Sequence, residues 1–496
     1  MHKGFILSYS SCAIVNDFVR LCGFKNMKTI LHNGAFKETL LSLYEEKKNF
    51  ISQDDSSYTS EIRTKGFEKF QELSLPDRKN ELWKHTDLSE VLKNDFTKYL
   101  DPSETGQDLD FMFSCEIHNF QTDQVSFLNG WHVTRGSRIS TLPDGVIICS
   151  LKEALGKYPG LIENHYGRYA DAGLDLFLAM NTAFTQDGLF IFIPDSVVLE
   201  KPVQMISIIN HHENLLIQNR NLVILGKNSK MTLVMCDDST NHQASFNNSV
   251  TEVFMDEGAH FEHYKLQNLN NSSTLLNSTW FHQEAGSRLD TYAITLNGGL
   301  IRNYQNVKLN GSGADANING LYLSDKKQHV DNRVFVRHVV PDCTSNELFK
   351  GILDDEASAV FNGHVLVQRD AQRTNAYQQN RNILLTDKAT VNTRPFLEIY
   401  ADDVKCSHGA TVGQLDNEEL FYLRSRGICM ASARLLLMYA FAAEVIGKMS
   451  LEALKDRIDE MIKQRLRGEL HVCETCVLHC SNQEKEIRFD IDMSKI

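Results

Sequence analysis

Hydrophobic and polar positions repeat with a helical period near the start of the chain. Within residues 29–96, Leu40 and Tyr44 lie on one apolar face between charged positions, and a second helical stretch follows at residues 151–184. Spacings of three and four residues place side chains on one side of an α-helix. The pattern predicts a helical N-terminal region over residues 27–187.

A different pattern occupies residues 188–412, where short apolar or alternating segments are separated by Asn, Asp, Gly and Ser. These segments are 189–193, 205–209, 222–225, 231–235, 292–296, 334–336, 360–361, 383–385 and 396–399. Segments this short, with no helical spacing between them, are typical of strands in a sandwich or a solenoid. We favour a parallel β-helix, because each coil of a solenoid needs only its neighbours to bury its apolar face.

Helical spacing returns after residue 413. Residues 418–426 are followed by Gly427, a typical helix stop, and residues 431–449 are strongly apolar. Residues 451–466 form an amphipathic pattern that leads into a tail with cysteines. We therefore expect a C-terminal helical region over residues 413–496 that includes this tail.

The first 26 residues differ from the rest of the chain. Asp17 and Arg20 interrupt their short apolar patch, and no small-residue cleavage pattern follows, so a signal peptide is not predicted. Met27 directly precedes the first helical pattern. We expect residues 1–26 to be a non-native or disordered extension, with translation beginning at Met27.

Composition and charge narrow the classes of partner. The 496-residue chain has a formal net charge of −13, whereas a nucleic-acid partner requires a basic face. It contains no apolar run of about 18 residues, the length that a membrane-spanning helix needs. Its eleven cysteines are an odd number and are scattered, which favours cytosolic thiols over secreted disulfides. We expect a cytoplasmic protein with no nucleic-acid or membrane partner.

Seven segments of the chain together resemble one known family. They are 78–88 (RKNELWKHTDL), 179–188 (AMNTAFTQDG), 329–332 (HVDN), 350–353 (KGIL), 371–378 (AQRTNAYQ), 401–411 (ADDVKCSHGAT) and 420–428 (LFYLRSRGI). In these segments the chain is similar to the SufB/SufD family of iron–sulfur cluster assembly proteins. The resemblance covers nearly everything from residue 67 to residue 449.

The resemblance implies a fold and a function. The fold is mostly β, a right-handed parallel β-helix flanked by N-terminal and C-terminal helical regions. The function is that of a scaffold subunit and not an enzyme: a SufD-type chain pairs with a SufB-type paralogue, and each binds one SufC ATPase. A transient nascent iron–sulfur cluster is built at the shared interface, with none expected on the isolated chain. Where SufB is missing, a homodimer is the expected alternative partner.

Two positions separate the two types of subunit. SufB-type chains have a functional cysteine near the position of Arg381, and they have a carboxylate where this chain has Gly409. Both departures remove ligands directed at a cluster. The resemblance therefore points to a SufD-type subunit, in which His408 is retained.

His408 and Cys406 are the candidate ligands of the nascent cluster. Imidazole suits iron and can replace thiolate at an iron–sulfur centre. Residues two apart on a strand point to the same face, so Cys406 is a second candidate donor. The alternatives are a histidine satisfied by hydrogen bonds near the last coil and a cysteine buried as a small hydrophobe.

The tail contains Cys473, Cys476 and Cys480. A C-x-x-C pair brings two thiolates within reach of one metal ion, and Cys480 could add a third. Zinc or iron binding, persulfide transfer and a merely exposed reducing tail remain alternatives for this segment.

The C-terminal helices supply the candidate partner-binding residues. Residues 435–446 are apolar on most faces, so this helix must be buried in its own domain or against another protein. By resemblance this region supports docking of the SufC ATPase, with Arg424 and Arg426 as better candidates than the leucines. The full set is Leu420, Phe421, Arg424, Arg426 and Tyr439.

Common enzyme signatures are missing from the sequence. It contains no G-x-x-x-x-G-K-[ST], so ATP hydrolysis must belong to a partner, and no H-E-x-x-H or G-x-S-x-G. Asp402 and Asp403 are adjacent and would point to opposite faces of a strand. The rival hypothesis is a β-helix carbohydrate-active enzyme, which would predict secretion and charged residues along a groove.

Overall fold

A computed structural model describes residues 35–53, 55–98, 113, 121–134 and 136–467. The expected extension at residues 1–26 and the tail with Cys473, Cys476 and Cys480 lie outside the described residues.

The described chain forms twenty strands. Strands β1–β4 are Thr97–Lys98, Asp123–Leu128, Trp131–His132 and Ile147–Ser150. Strands β5–β12 are Leu189–Ile193, Val203–Ile209, Leu215–Leu225, Lys230–Ser239, Ser245–Met255, His260–Asn268, Ser273–Gln283 and Arg288–Asn297. Strands β13–β20 are Leu300–Leu309, Asp315–Ser324, His329–His338, Thr344–Leu353, Ser358–Val367, Thr374–Leu384, Thr390–Ile399 and Val404–Gly413.

Eight α-helices precede and follow the main run of strands. They are α1 (Ala35–Ile51), α2 (Ser57–Glu72), α3 (Leu151–Lys157), α4 (Pro159–His165), α5 (Leu176–Phe184), α6 (Asn417–Ser425), α7 (Met430–Ile446) and α8 (Glu452–Leu466) among the described residues, with one 3₁₀ turn at Val91–Lys93. Asp416 caps α6 by accepting hydrogen bonds from the backbone N–H groups of Glu418 and Glu419. Gly427, at φ 88°, follows α6 as the sequence predicted.

From β5 onward the strands alternate between two sheets, one odd-numbered and one even-numbered. Each strand pairs in parallel with the strand two positions later in the chain. The result is a parallel β-solenoid of about eight turns between helical regions, which confirms the predicted fold class. All nine segments predicted as strands lie in strands β5–β19, except that the segment at 383–385 runs one residue past its strand.

The solenoid repeat is irregular in length. Paired residues are 26 positions apart where Thr274 faces Leu300 and 32 positions apart where Ser358 faces Thr390. The turns between strands absorb the difference. This variation explains why no consensus coil is visible in the sequence although the coils stack continuously.

Helices cover the outer faces of both sheets. Helices α1, α2 and α5 pack on the odd-numbered sheet, and α7 and α8 pack on the even-numbered sheet. Strands in the middle coils are therefore buried on both faces, and β7 is buried along its whole length. The N-terminal region is not purely helical, because β2 and β4 also extend the two sheets.

The two ends of the solenoid differ. At its N-terminal end, β3 and β4 add antiparallel strands to the sheets. At its C-terminal end, β19 and β20 are edge strands with no further strand beside them among the described residues. Almost every residue of β20 is exposed. We call this last coil, β19 and β20, the open end.

Candidate functional site

His408 lies on the exposed edge strand β20, in register with Gln378 of β18. Val404 and Cys406 of the same strand pack against the core inside the solenoid. Because side chains alternate along a strand, His408 shares this inward face. No described coil follows to cover it, so its imidazole is exposed at the open end. A partner chain could therefore reach it.

A ladder of polar side chains leads from His408 into the solenoid. Glu347 of β16, Gln378 of β18 and His408 are in register on three neighbouring strands. Gln378 Nε2 donates to Glu347 Oε2 over 2.7 Å. Gly363 makes room for this amide, since a Cβ there would lie 2.0 Å from Gln378 Nε2. The interior of the last coils thus changes from aliphatic to polar below the candidate ligand.

The surroundings of Glu347 favour the neutral form of its carboxyl group. Burial raises the pKa of its carboxyl to about 8, and the hydrogen bond from Gln378 offsets this only in part. Two buried oxygens of the pair, Glu347 Oε1 and Gln378 Oε1, have no hydrogen-bond partner. A protonated Glu347 carboxyl could donate a hydrogen bond, which an ionised one could not.

Cys406 is half-buried and shares the inward face with His408, as the two-residue spacing predicted. Burial raises the pKa of its thiol, opposed by a hydrogen bond from the backbone of Ala376. The thiolate is the form that binds metal, so this setting disfavours a ligand role until the surroundings change.

The two positions that separate the subunit types lie on the outer face. Arg381 Nη1 is 3.3 Å from Glu444 Oε2 of helix α7, and Lys350 also pairs with Glu444. Arg381 therefore ties α7 to the solenoid. At Gly409, by contrast, no atom lies within 4 Å of where a Cβ would be.

Exposed apolar side chains surround the open end. We call Tyr377, Phe396, Ile399, Tyr400 and Val412 the apolar rim; all five are large and exposed. Sequence reasoning recognised residues 396–399 only as a strand. Alternation along β19 places Phe396 on the outer face among polar residues, and only the tertiary structure shows that its ring is exposed.

The candidate partner-binding residues divide into two groups. Phe421, Arg424 and Arg426 are exposed on or beside α6, and Leu420 is half-buried there. Tyr439 instead donates to Asp459 of α8, and burial, with the Asp459 carboxylate, raises the pKa of its hydroxyl to about 12. Tyr439 therefore holds α7 against α8.

No described helix is long and apolar enough to cross a membrane.

Comparison with known proteins agrees with this architecture. Residues 207–441 match the family model of the SUF system FeS cluster assembly SufBD core domain, and residues 35–205 match that of the SufBD protein N-terminal region.

Individual relatives give the same result. An iron–sulfur cluster assembly SufBD family protein of Synechocystis is 30% identical over 444 residues, which span 88% of this chain and 97% of the relative. The iron–sulfur cluster assembly protein SufD of Escherichia coli is 30% identical over 400 residues, which span 79% and 90%. SufD of Bacillus subtilis is 26% identical over 328 residues, which span 65% and 74%. The chain belongs to the SufBD family of iron–sulfur cluster assembly proteins and is similar to its SufD-type members.

Proposed function

We propose that this chain is the SufD-type scaffold subunit of a SufBCD complex, without an enzymatic activity of its own, and that it acts in the cytoplasm. It pairs with a SufB-type paralogue and binds a SufC ATPase, and a nascent iron–sulfur cluster is built where the two paralogues meet. One observation supports this most strongly: the open end combines two strand edges that no described strand covers, an apolar rim and an exposed His408.

The open end is suited to pairing with another strand-rich chain. Edge strands present unsatisfied backbone N–H and C=O groups that a partner strand can satisfy. The apolar rim adds side chains such as Phe396, which is 54% exposed. A paralogue with the same solenoid offers a matching open end. In its absence a second copy of this chain would meet the same requirement, which gives the homodimer.

His408 is the residue of this chain that we propose as a ligand of the assembling cluster. Its imidazole is exposed on the inward face at the rim, where a paired solenoid would cover it. Neutral imidazole is a ligand for iron, and covering the site would exclude water and favour coordination. Cys406 is the second candidate, but its thiol must first become less buried or lose its proton to a bound metal.

A separate surface is proposed for the ATPase. Helix α6 has no buried residue, and Phe421 is 75% exposed beside Arg424 and Arg426. An exposed aromatic flanked by arginines is typical of residues that dominate binding energies. Helix α7 connects this surface to the solenoid through Glu444, Lys350 and Arg381.

The carbohydrate-active alternative has no support from the family match. For the tail with Cys473, Cys476 and Cys480, the alternatives are still metal binding, persulfide transfer and an exposed reducing segment.

The proposal is tested with the His408→Ala variant, produced together with a SufB-type and a SufC-type partner. We expect the complex to assemble in normal yield, because His408 is exposed and supports no packing, while cluster formation falls. The measurement is the visible absorbance and the iron and sulfide content of the purified complex. The matched control is His242→Ala, because His242 is also an exposed histidine but lies in the turn between β8 and β9, away from the open end.

Two results would count against the proposal. If the chain stayed alone in the presence of both partners, the scaffold function would be wrong. If His408→Ala and His242→Ala gave equal cluster yields, His408 would not be a ligand.

A further inference from the structure

Three side chains with nitrogen and oxygen donors converge on the even-numbered sheet, far along the chain from His408. His260 and Glu262 are two residues apart on β10, so they share one face of the strand. Glu262 is in register with Asp290 of β12, which brings the second carboxylate beside the first. Because Asp290 is 28 positions after Glu262, nothing in the local sequence indicates this arrangement.

The donor atoms are spaced for a single cation. The three atoms lie within 4.8 Å of one another. His260 Nε2 is 3.3 Å from Asp290 Oδ2 and 4.0 Å from Glu262 Oε1. Ligand atoms at about 2.0–2.2 Å from a metal ion are separated by roughly 3.0–3.6 Å, so a small rotation of Glu262 completes the geometry.

Glu262 is oriented toward the cluster and is incompletely satisfied. The residue is only 8% exposed. Its Oε2 accepts from Ser450 Oγ over 2.5 Å, and Thr232 Oγ1 is 3.5 Å away. Its Oε1 faces His260 with no hydrogen-bond donor from the described part of the chain. A cation bound beside His260 and Asp290 would give this oxygen a partner.

The cluster also has more negative than positive charge. Arg288 contacts Asp290 Oδ2 over 2.9 Å, but its side chain is 57% exposed and can move aside. Asp315 lies on the next strand, in register with Arg288. One arginine therefore faces three carboxyl groups, those of Glu262, Asp290 and Asp315.

We propose that His260, Glu262 and Asp290 bind a divalent first-row cation of the manganese or ferrous type. One imidazole nitrogen with two carboxylate oxygens is a borderline-to-hard donor set, which suits these ions better than it suits thiol-seeking metals. Asn317 Nδ2, which donates to Asp290 Oδ1 over 3.0 Å, holds the carboxylate in place from outside the site.

A cation bound at this site would strengthen the attachment of the C-terminal helices to the solenoid. Ser450, in the turn between α7 and α8, donates its hydroxyl to Glu262 and its backbone N–H to Tyr264. A metal ion bound to Glu262 would fix the position of the carboxylate that accepts the hydrogen bond from Ser450. The site is thus a structural link between the solenoid and the helices that we assign to ATPase docking, and it does not depend on that assignment.

The test uses the full chain, stripped of metal with a chelator and titrated with Mn²⁺ alone. The loss of the free Mn²⁺ signal in electron paramagnetic resonance measures binding, and nitrogen couplings report an imidazole ligand. The variants are His260→Ala and Glu262→Gln. The matched control is His282→Ala, because His282 Nε2 lies 2.9 Å from Glu284 Oε1 with the same two-residue spacing but is in no three-ligand group found among the described residues.

We expect one Mn²⁺ per chain with a nitrogen coupling. Each site variant should raise its Kd by at least about tenfold, while the control and His408→Ala leave it unchanged. Thermal melts without metal check that all variants fold. Absence of binding in the unmodified chain, or equal binding in site variants and control, would overturn the proposal and leave the cluster an ion-pair network only.

Discussion

Phe396 provides a quantitative test of the surface that we propose for binding the paralogue. Its ring is on the outer face of β19 and is 54% exposed. A buried phenylalanine covers about 200 Å². About 110 Å² thus remains for a partner to cover, which corresponds to about 2.7 kcal/mol at about 25 cal/mol per Å². Because association also carries entropic costs, we expect Phe396→Ala to weaken pairing by roughly 10- to 100-fold.

The matched variant is Phe421→Ala, which removes an even more exposed ring, 75%, from helix α6. Binding of the SufB-type and the SufC-type partner is measured separately for each variant by titration calorimetry. Phe396→Ala should weaken only the paralogue, and Phe421→Ala only the ATPase. The two-surface reasoning would be refuted if either variant weakened both partners equally or if Phe396→Ala left the paralogue's Kd unchanged.

Three further predictions concern the buried groups. Glu252 is fully buried, pairs with Arg220 and accepts hydrogen bonds from the backbone N–H groups of Gly167, Tyr169 and Ala170. Glu252→Gln leaves the buried charge of Arg220 unpaired and should lower the free energy of unfolding in urea by about 3–5 kcal/mol. A decrease below about 1 kcal/mol would contradict this role. Burial raises the pKa of Glu347 to about 8, so the stability that its neutral form contributes is fully present below the unfolded pKa and is lost as the pH rises to 8. Glu347→Gln should therefore stabilise the chain more at pH 8 than at pH 5 in parallel urea titrations. A pH-independent difference would show that Glu347 is ionised. Burial raises the pKa of the Cys406 thiol, whereas Cys429 is exposed. Treatment with iodoacetamide followed by peptide mass mapping should therefore show that Cys429 is alkylated first. Equal alkylation rates would mean that Cys406 is accessible as a thiolate.

Arg381 shows what a resemblance to a family can indicate about a residue and what it cannot. Its identity at the position of a family cysteine separated the two types of subunit, but its physical role came from the fold. The guanidinium pairs with Glu444, 63 positions later, and joins Lys350 in holding α7. No local pattern could indicate this contact, because the strand and the helix meet only after the C-terminal region folds back along the sheet.

The positions of nine of the twenty described strands and of the C-terminal helices were readable from the sequence, because they depend on local patterns of apolar residues. Two-residue alternation and short apolar runs marked the strands, an apolar run marked α7, and an amphipathic pattern marked α8. The motif around residues 401–411 likewise identified His408 and Cys406 without coordinates.

Only the tertiary structure decided which of these residues are accessible and what charge they carry. His408 is exposed because no described coil follows β20, the pKa of the Glu347 carboxyl is raised because the coils around it exclude water, and Asp290 meets Glu262 because two strands pair in one register. Each of these outcomes depends on contacts between residues about one coil apart. Coil length varies from 26 to 32 residues, so the register is set by the stacking of the coils and not by any spacing in the sequence.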